Sequence, residues 1–226
     1  MDQTRTFTST LQTITDLHGP AGRLEALLNT AAPSPRYSVL VCHPHPLGGG
    51  TMHNKVVYHA MKAFLSLGLP VLRFNFRGTG LSEGTHDHGQ GEQDDVKAAL
   101  DWLDARFHLP ILFAGFSFGS YVGMRVCCSD PRVKGAALLG LPVQAEGRDY
   151  DFGFLSGCGL PKLFISGTRD QYGPKSQVEA VFEQAASPKQ LTWVEGADHF
   201  FVGQLEAVQR AIVDWCGGNI PDMAAQ

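Results

Sequence analysis

Short apolar runs alternate with segments of helical periodicity from residue 37 onward. The apolar runs are Tyr37–Cys42, Pro70–Phe76, Pro110–Ala114, Gly135–Leu141, Lys162–Ser166 and Gln190–Val194. Their apolar character is continuous, which is typical of strands covered on both faces of a parallel sheet. Apolar residues spaced by three and four positions predict helices within Val57–Phe64, Val96–Phe107 and Leu205–Trp215. This alternation predicts an α/β fold, a mostly parallel sheet with helices on both faces.

The N-terminal part of the chain has a different pattern. Two strand-like segments, Phe7–Thr15 and Leu24–Asn29, are separated by a turn at His18–Gly22. The short stretch Ala31–Arg36 then leads to the first apolar run. A chain of 226 residues with 43% hydrophobic residues has enough apolar material for one core and is short for two. A single domain spanning residues 1–226 is therefore predicted.

Charge and cysteine content narrow the range of partners and compartments. The formal net charge is −4 and the pI is about 6.1, so no basic surface is expected to bind nucleic acid or an anionic membrane. The sequence has no run of about 18 apolar residues that could span a bilayer. Its first residues also lack the apolar segment of a secretory signal. Five cysteines without a CxxC pair are interpreted as buried thiols in a reducing compartment, which predicts a cytoplasmic protein.

The motif G-x-S-x-G, which surrounds a nucleophilic serine in many enzymes, occurs twice. Gly115–Gly119 contains Ser117 and Gly80–Gly84 contains Ser82, and a chain with 26 glycines can produce such a match by chance. Context separates the two, because a nucleophile elbow needs a strand that runs directly into a tight turn and a helix. Ser117 follows the apolar run Pro110–Ala114 and precedes a segment that can be helical. Ser117 is therefore the predicted nucleophile, and Ser82 is predicted to be a loop serine.

A serine hydroxyl needs a general base, and the base needs a group that orients it. In enzymes built around a nucleophile elbow, the order of the triad along the chain is serine, acid, histidine. Asp170 follows the apolar run that ends at Ser166, and His199 is the only one of nine histidines downstream of it. These positions predict a Ser117–His199–Asp170 triad. Asp198 is a rival orienter, but a residue next to the histidine is better placed to hydrogen-bond the backbone of the turn.

The segment HPHPLGGG (43–50) follows the first apolar run and leads toward a predicted helix. In the elbow architecture a loop at this place supplies one backbone N–H to the oxyanion hole, and the residue after the nucleophile, here Phe118, supplies the other. Pro44 and Pro46 have no N–H. The loop donor is therefore predicted to be His45 or Leu47, and the sequence does not choose between them.

The histidines of this segment also raise the possibility of a metal site. His43, His45 and His53 lie close in sequence, but the interleaved prolines disturb strand geometry. No cysteine pair or acidic ligand completes a zinc set at the usual spacing. A phosphate-binding loop would need G-x-x-x-x-G-K-[ST], which Lys55 does not satisfy. No metal and no cofactor are therefore predicted, and the imidazoles are expected to hydrogen-bond the loop to its surroundings.

Three segments together resemble the α/β-hydrolase superfamily. They are HPHPLGGGTMHNKVV (43–57), RFNFRGTGLSEG (73–84) and GFSFG (115–119). Over nearly its whole length the chain is similar to a group of small, lid-poor bacterial serine hydrolases, relatives of dienelactone hydrolases and carboxylesterases. The resemblance implies an α/β-hydrolase fold with a mostly parallel eight-stranded sheet, a minimal cap and a Ser–Asp–His triad.

An acidic cluster, Glu92, Asp94 and Asp95, precedes the predicted helix Val96–Phe107. The hydrolases that the chain resembles also have acidic residues at this place. Because negative charge suits the N-terminus of a helix, these carboxylates are interpreted as opening the helix, and no chemistry is assigned to them.

The size of the lid bears on the substrate. About 20 residues separate the run ending at Leu141 from the run beginning at Lys162, which is too few for a large lid. The site is therefore predicted to be an open apolar cleft, roofed at most by Tyr150–Phe154 and without a cationic clamp. Small or medium acyl esters or thioesters are the predicted small-molecule substrates. The alternatives are a serine peptidase or amidase, and a non-catalytic binding module on the same fold. The sequence leaves the choice between monomer and homodimer open.

Overall fold

The computed structural model describes residues 9–32, 34–144, 147–148 and 150–223. These residues form one sheet of eight strands and a separate two-residue pairing of His18–Gly19 with Gly22–Arg23. The strands of the large sheet are β1 (Thr10–Ile14), β2 (Ala26–Thr30), β3 (Ser38–Cys42), β4 (Val71–Phe74), β5 (Ile111–Phe116), β6 (Val133–Leu139), β7 (Lys162–Gly167) and β8 (Lys189–Val194).

The strands lie side by side in the order β1-β2-β4-β3-β5-β6-β7-β8. β2 pairs antiparallel with both of its neighbours, and the pairings from β4 across to β8 are parallel. At the centre, Gly115 of β5 lies opposite Cys42 of β3 and Leu138 of β6. The mostly parallel eight-stranded sheet of an α/β-hydrolase fold is therefore confirmed. In such a sheet the carboxyl ends of the parallel strands gather at one edge.

Five α-helices within the described residues cover the two faces of the sheet. They are α1 (Lys55–Ser66), α2 (Gly91–Phe107), α3 (Phe118–Cys127), α4 (Lys175–Gln184) and α5 (Leu205–Asn219). α1 and α5 bury Phe64 and Ile212 on one face, and α2 buries Leu100 on the other. Successive strand residues point to opposite faces, so Leu112 and Phe113 of β5 enter different cores. This two-sided burial explains why the strands read as continuous apolar runs. Within the described residues, no helix combines the length and apolarity needed to cross a membrane.

The predicted elements agree with the structure except at a few places. The predicted strand Phe7–Thr15 corresponds to β1, and its residues 7 and 8 lie outside the described residues. α4 was not predicted, although Val178, Val181 and Phe182 have helical spacing; only Val178 among them is fully buried, and the other two pack at the edge of the core. α2 begins at Gly91, five residues before the predicted start at Val96.

The cysteine interpretation was wrong for one pair. Cys128 at the end of α3 and Cys158 before β7 form a disulfide, and their Cα atoms are 5.2 Å apart. Cys42, Cys127 and Cys216 are buried free thiols, as expected. The disulfide joins residues separated by 30 positions, and only the packing of the folded chain brings such a pair within bonding reach. The predicted cytoplasmic location loses the support of the cysteine argument.

The acidic cluster opens α2, as interpreted, since Glu92 and Asp94 lie in its first turn, and two of its carboxylates also hold the preceding loop. Glu92 and Asp95 are fully buried. The Glu92 carboxylate accepts the N–H groups of Asp87 at 2.8 Å and Gly89 at 2.7 Å. Asp95 accepts the Arg77 guanidinium at 2.8 Å and the Arg77 backbone N–H at 3.0 Å. The two carboxylates thus fasten both ends of the loop between β4 and α2.

Candidate active site

Four loops meet at the carboxyl edge of the sheet. They follow β3, β5, β7 and β8 and carry His45, Ser117, Asp170 and His199, respectively. Because these four strands are parallel, their loops emerge on the same edge. His45, Ser117 and His199 line one cleft there, and Asp170 lies behind His199. Residues predicted from four distant places in the sequence are thus brought together.

Ser117 forms the turn between β5 and α3. Its backbone has a φ of 53° and a ψ of −120°, a combination that a residue with a Cβ adopts only where its surroundings impose it. The Ser117 N–H donates to the Leu139 carbonyl at 2.9 Å, and the Ser117 carbonyl accepts the Ser120 N–H at 2.9 Å. A strained residue between a buried strand and a helix is the geometry of a nucleophile elbow.

Two glycines permit this turn. A Cβ at Gly119 would lie 2.5 Å from the His43 carbonyl oxygen and 2.6 Å from the Cys42 carbonyl oxygen, because α3 begins directly against the end of β3. A Cβ at Gly115 would lie 2.6 Å from the Gly119 carbonyl oxygen. Since backbone atoms cannot move aside as the end of a side chain can, a larger residue at either position would displace the start of α3.

The His199 imidazole contacts the Asp170 carboxylate, with 2.8 Å between Nδ1 and Oδ2. Both residues are buried. The other carboxylate oxygen, Oδ1, accepts the N–H of Tyr172 at 2.8 Å and the N–H of Gly173 at 2.9 Å, which fixes the plane of the carboxylate. When Nδ1 donates its proton to Asp170, Nε2 keeps a free lone pair. His199 shares the cleft with Ser117.

Asp198, the rival orienter, has a different partner. Its Oδ1 accepts the backbone N–H groups of Phe200 and Val202, each at 3.1 Å. These bonds close the turn that carries His199. The prediction that Asp198 stabilises the turn rather than the imidazole is confirmed.

Ser82, in the second G-x-S-x-G match, lies in the loop after β4. Its hydroxyl donates to the Asn75 carbonyl at 2.6 Å and accepts the Glu25 N–H at 2.9 Å. The Asn75 side chain in turn accepts the Met52 N–H at 2.8 Å. Ser82 is therefore a loop serine, as predicted, in a network that joins the N-terminal strands to the segment after the HPHP loop (residues 43–50).

His43 begins the HPHP loop and is fully buried. Its Nδ1 lies 2.6 Å from the Pro44 carbonyl oxygen, and its Nε2 accepts the Phe76 N–H at 3.0 Å. This pairing requires the neutral tautomer with the proton on Nδ1. Burial is the main cause that lowers the pKa of His43 to about 3. The ring ties the HPHP loop to the loop after β4, as expected. Within the described residues no group of three His, Cys, Asp or Glu side chains is arranged to hold a metal ion.

The two predicted loop donors have different surroundings. The Leu47 N–H donates to the His45 Nδ1 at 3.2 Å. No acceptor among the described residues takes the His45 N–H. The His45 carbonyl accepts the N–H groups of Gly48 and Gly50, each at 3.0 Å. Burial and then the positive charge of Arg148 lower the pKa of His45 to about 4, which keeps its ring neutral and able to accept the Leu47 bond.

The cleft has a volume of about 170 Å³. It is lined by Pro44, His45, Gly48, Gly49, Gly50, Asn54, Ser117, Pro142, Arg148, Tyr172, His199 and Phe200. Arg148 corrects the expectation of a cleft without a cationic group. Sequence reasoning also missed Asn54, Pro142 and Tyr172. Each of these four residues follows the carboxyl end of a parallel strand, and that position is the only sequence signal that could have found them.

The aromatic residues near the site divide between cleft and core. Phe200 lines the cleft and is 42% exposed. Phe116, Phe118 and Phe201, which also flank the predicted triad in sequence, are buried. The segment Tyr150–Phe154, which was expected to be the most that could roof the site, contributes none of its residues to the lining of the cleft. It packs against α3 and lies to one side.

Comparison with known protein sequences gives one family. A family model described as "Alpha/beta hydrolase domain" matches residues 36–209. An uncharacterized protein of Rickettsia prowazekii is 36% identical to this chain over 208 residues, which is 88% of this chain and 86% of that protein. The matched region includes the HPHP loop, the elbow and the loops that carry Asp170 and His199.

Comparison with solved structures agrees with the sequence comparison. An alpha-beta serine hydrolase homologue from Coxiella burnetii is 37% identical with a TM-score of 0.82, covering 92% of this chain and 98% of that one. A Xanthomonas campestris protein, described as a member of the α/β serine hydrolases without a lid, is 31% identical with a TM-score of 0.81. That match covers 97% of this chain and 99% of the Xanthomonas chain.

Proposed function

The chain belongs to the α/β-hydrolase family, and we propose that it is a serine hydrolase that cleaves small or medium carboxylic esters or thioesters through an acyl-enzyme intermediate. The observation that carries the proposal is the convergence of Ser117, His199 and Asp170 at one cleft, with a strained backbone at the serine. Strain of this kind costs about 1–3 kcal/mol and is concentrated where it positions a reactive group.

The proposed reaction uses the three side chains in turn. His199 Nε2 takes the Ser117 hydroxyl proton as Oγ forms a bond to the acyl carbon. The bond from that carbon to the leaving oxygen or sulfur then breaks, and His199 returns the proton to the leaving group. His199 then deprotonates a water molecule, whose oxygen bonds to the acyl carbon. The bond from that carbon to Ser117 Oγ breaks, His199 returns the proton to Oγ, and the acid is released. Asp170, 2.8 Å from Nδ1, stabilises the imidazolium that forms in both steps.

The oxyanion hole is assigned to the backbone N–H groups of Phe118 and His45. Phe118 is the first residue of α3, and the first N–H groups of a helix have no acceptor within it. His45 is preferred to Leu47 because the Leu47 N–H already donates to the His45 ring. Each such donor is typically worth on the order of 10²–10³ in kcat.

The substrate class follows from the dimensions and openness of the cleft. Its volume of about 170 Å³ is below the roughly 300–1,000 Å³ of sites for drug-sized ligands, which favours a short or medium acyl group. The partly exposed side chain of Phe200 provides apolar surface in the wall of the cleft. The similarity to a lid-less Xanthomonas hydrolase supports a site that opens directly to solvent.

The experiment is labelling with a fluorophosphonate probe, followed by mass mapping, together with kinetics on esters, thioesters and amides of increasing acyl length. We expect the probe on Ser117 alone, and we expect turnover of short esters or thioesters with no comparable turnover of amides. Ser117→Ala abolishes labelling and turnover, whereas the matched variant Ser82→Ala keeps the label. Label on Ser82, or a folded protein that neither takes the probe nor hydrolyses any ester, contradicts the proposal.

The oxyanion assignment has its own test at position 45. His45→Ala keeps the backbone N–H and retains substantial activity, whereas His45→Pro removes the donor and lowers kcat on the order of 10²–10³. Probe access to Ser117 and the circular dichroism spectrum verify that the proline variant is folded. If the two variants are equally inactive, the imidazole itself takes part in the reaction. If both remain active, Leu47 is the donor.

A further inference from the structure

A second cavity, here called the side pocket, adjoins the cleft. His45 and Arg148 line both cavities. The side pocket has a volume of about 210 Å³ and lies between α3 and the loop before α2, with Phe118 in its wall. His88 and Gln93 face it from the loop and from α2. A molecule held at Ser117 could therefore extend past His45 into this space.

Among the described residues that line the side pocket, the charged side chains all have one sign. Arg125 and Arg148 contribute two guanidinium groups, and none of the described residues that line the pocket is an aspartate or glutamate. This is notable in a chain whose net charge is −4. Because a guanidinium presents several N–H donors in a planar fork, two of them facing one cavity favour a carboxylate or a phosphate.

Arg125 is held in place by an aromatic residue of its own helix. Its Nη1 donates to the Tyr121 hydroxyl oxygen at 3.3 Å, and its guanidinium carbon lies 5.5 Å from the centroid of the Tyr121 ring. The Tyr121 ring packs against Tyr150, with 4.9 Å between ring centroids. These contacts use one of the five N–H donors of Arg125 and orient the group before any ligand binds.

The charge of Arg148 acts on both cavities. After burial, it is the next largest cause of the lowered pKa of His45, which lies at the boundary with the cleft. It also opposes the rise that burial causes in the pKa of Tyr150, on another wall of the side pocket. Arg148 is therefore close enough to a substrate in either cavity to interact with an anionic group.

We propose that the side pocket binds an anionic group, a carboxylate or a phosphate, carried by the ester or thioester whose acyl carbon lies at Ser117. This inference rests on the proposed hydrolase function and narrows its substrate class. Arg125 and Arg148 pair with the anion, the His45 ring separates it from the reacting bond, and Gln93 supplies a neutral donor. The expectation of a site without a cationic clamp is thereby replaced by two arginines that bind one charged group of the substrate.

The test uses two pairs of aryl esters. The first pair, 4-nitrophenyl hydrogen glutarate and 4-nitrophenyl pentanoate, differs by a carboxylate at the end of the acyl group. The second pair, 4-carboxyphenyl butanoate and 4-methylphenyl butanoate, differs by a carboxylate on the leaving group. Competition by glutarate and by inorganic phosphate then shows which anion the pocket prefers. Variants are Arg125→Gln and Arg148→Gln, with Arg106→Gln as the matched control, since Arg106 lies in a different groove beside Trp102.

We expect the arginine variants to lose activity selectively toward the anionic esters. In at least one pair, Arg125→Gln and Arg148→Gln each lower kcat/KM for the anionic ester by about tenfold relative to its neutral partner, the size expected for charged hydrogen bonds at solvent-exposed groups. The pair that responds shows whether the acyl group or the leaving group enters the side pocket. Arg106→Gln leaves the ratio unchanged. If no variant changes the ratio in either pair, the proposal is wrong, while turnover of the neutral esters and labelling of Ser117 leave the hydrolase function intact.

A separate readout covers the case in which no ester is hydrolysed. Calorimetry measures binding of monobenzyl glutarate and of inorganic phosphate to the Ser117→Ala protein, with and without Arg125→Gln. About tenfold weaker binding in the double variant supports the anion site even if the proposed reaction is wrong. Equal binding, or binding to neither protein, overturns the anion site.

Discussion

His43 makes the stability of the protein sensitive to acid. In the neutral form its Nδ1–H donates to the Pro44 carbonyl and its Nε2 accepts the Phe76 N–H. Protonation of the ring would add a hydrogen to Nε2, so that this new N–H and the Phe76 N–H would point at each other. It would also leave a positive charge in the core. Burial therefore lowers the pKa of His43 from the ordinary value of 6.5 to about 3.

The sign and size of the effect follow from this shift. Below pH 6.5 the unfolded chain binds a proton at His43 and the folded protein does not, so stability falls as the pH falls toward 3. When the pH falls from 7 to 5, proton binding at His43 lowers the free energy of the unfolded state by about 2 kcal/mol. This energy hardly depends on the pKa of His43 in the folded state. A pKa near 3 leaves His43 unprotonated in the folded protein over the whole interval.

The assay is urea unfolding followed by tryptophan fluorescence at pH 7, 6 and 5, for the wild type and for His43→Gln. The glutamine side-chain oxygen can accept the Phe76 N–H but does not titrate. We expect the wild type to be more stable at pH 7 and its advantage over His43→Gln to shrink by about 2 kcal/mol at pH 5. Other titrating groups cancel in this difference. An advantage that stays constant across the three pH values would refute the account of His43 as a buried neutral clamp.

Three further predictions concern the elbow, the triad and the disulfide. Asp170→Asn preserves folding and lowers kcat on the order of 10³–10⁴ in an ester assay, whereas Asp198→Asn changes it little; the reverse result would make Asp198 the orienter. Gly119→Ala displaces α3 from the end of β3 and lowers both the melting temperature and probe labelling, whereas Gly157→Ala, with no atom within 4 Å of the added Cβ, does neither. Cys128→Ser lowers the free energy of unfolding by about 2–4 kcal/mol in non-reducing urea titrations; a difference of the same size in the presence of reductant would contradict a crosslinking role.

The sequence was most informative where a local pattern and a long-range rule coincided. The buried run before Ser117 and the helix after it distinguish this serine from Ser82. The rule that parallel strands end on one edge then brings Asp170 and His199 toward it. His199 could be selected because no other histidine follows Asp170. Each of these inferences depends on the order of elements along the chain, which the sequence states directly.

The features that the sequence did not reveal depend on contacts between segments that are far apart along the chain. Arg148 lies in an irregular segment between β6 and β7, and nothing in its neighbours indicates that it faces the cleft. The buried roles of Glu92 and Asp95 could not be separated from a charged helix start, because their partners belong to the preceding loop. Cys128 and Cys158 pair through packing alone. The position of Arg148, the buried carboxylates and the disulfide are all determined by distances across the fold and not by spacings along the chain.

The HPHP loop shows how a choice that the sequence left open is narrowed by hydrogen bonds. Pro44 and Pro46 remove two N–H groups, so His45 and Leu47 remain as candidate donors. In the folded loop the Leu47 N–H already makes a hydrogen bond, since it donates to the neutral His45 ring at 3.2 Å. The His45 carbonyl is held by two glycine N–H groups at 3.0 Å, and this fixes its position relative to the loop backbone. The side chain of His45 therefore occupies the competing donor, while its own N–H has no acceptor among the described residues, and this supports the proposal that His45 donates to the oxyanion.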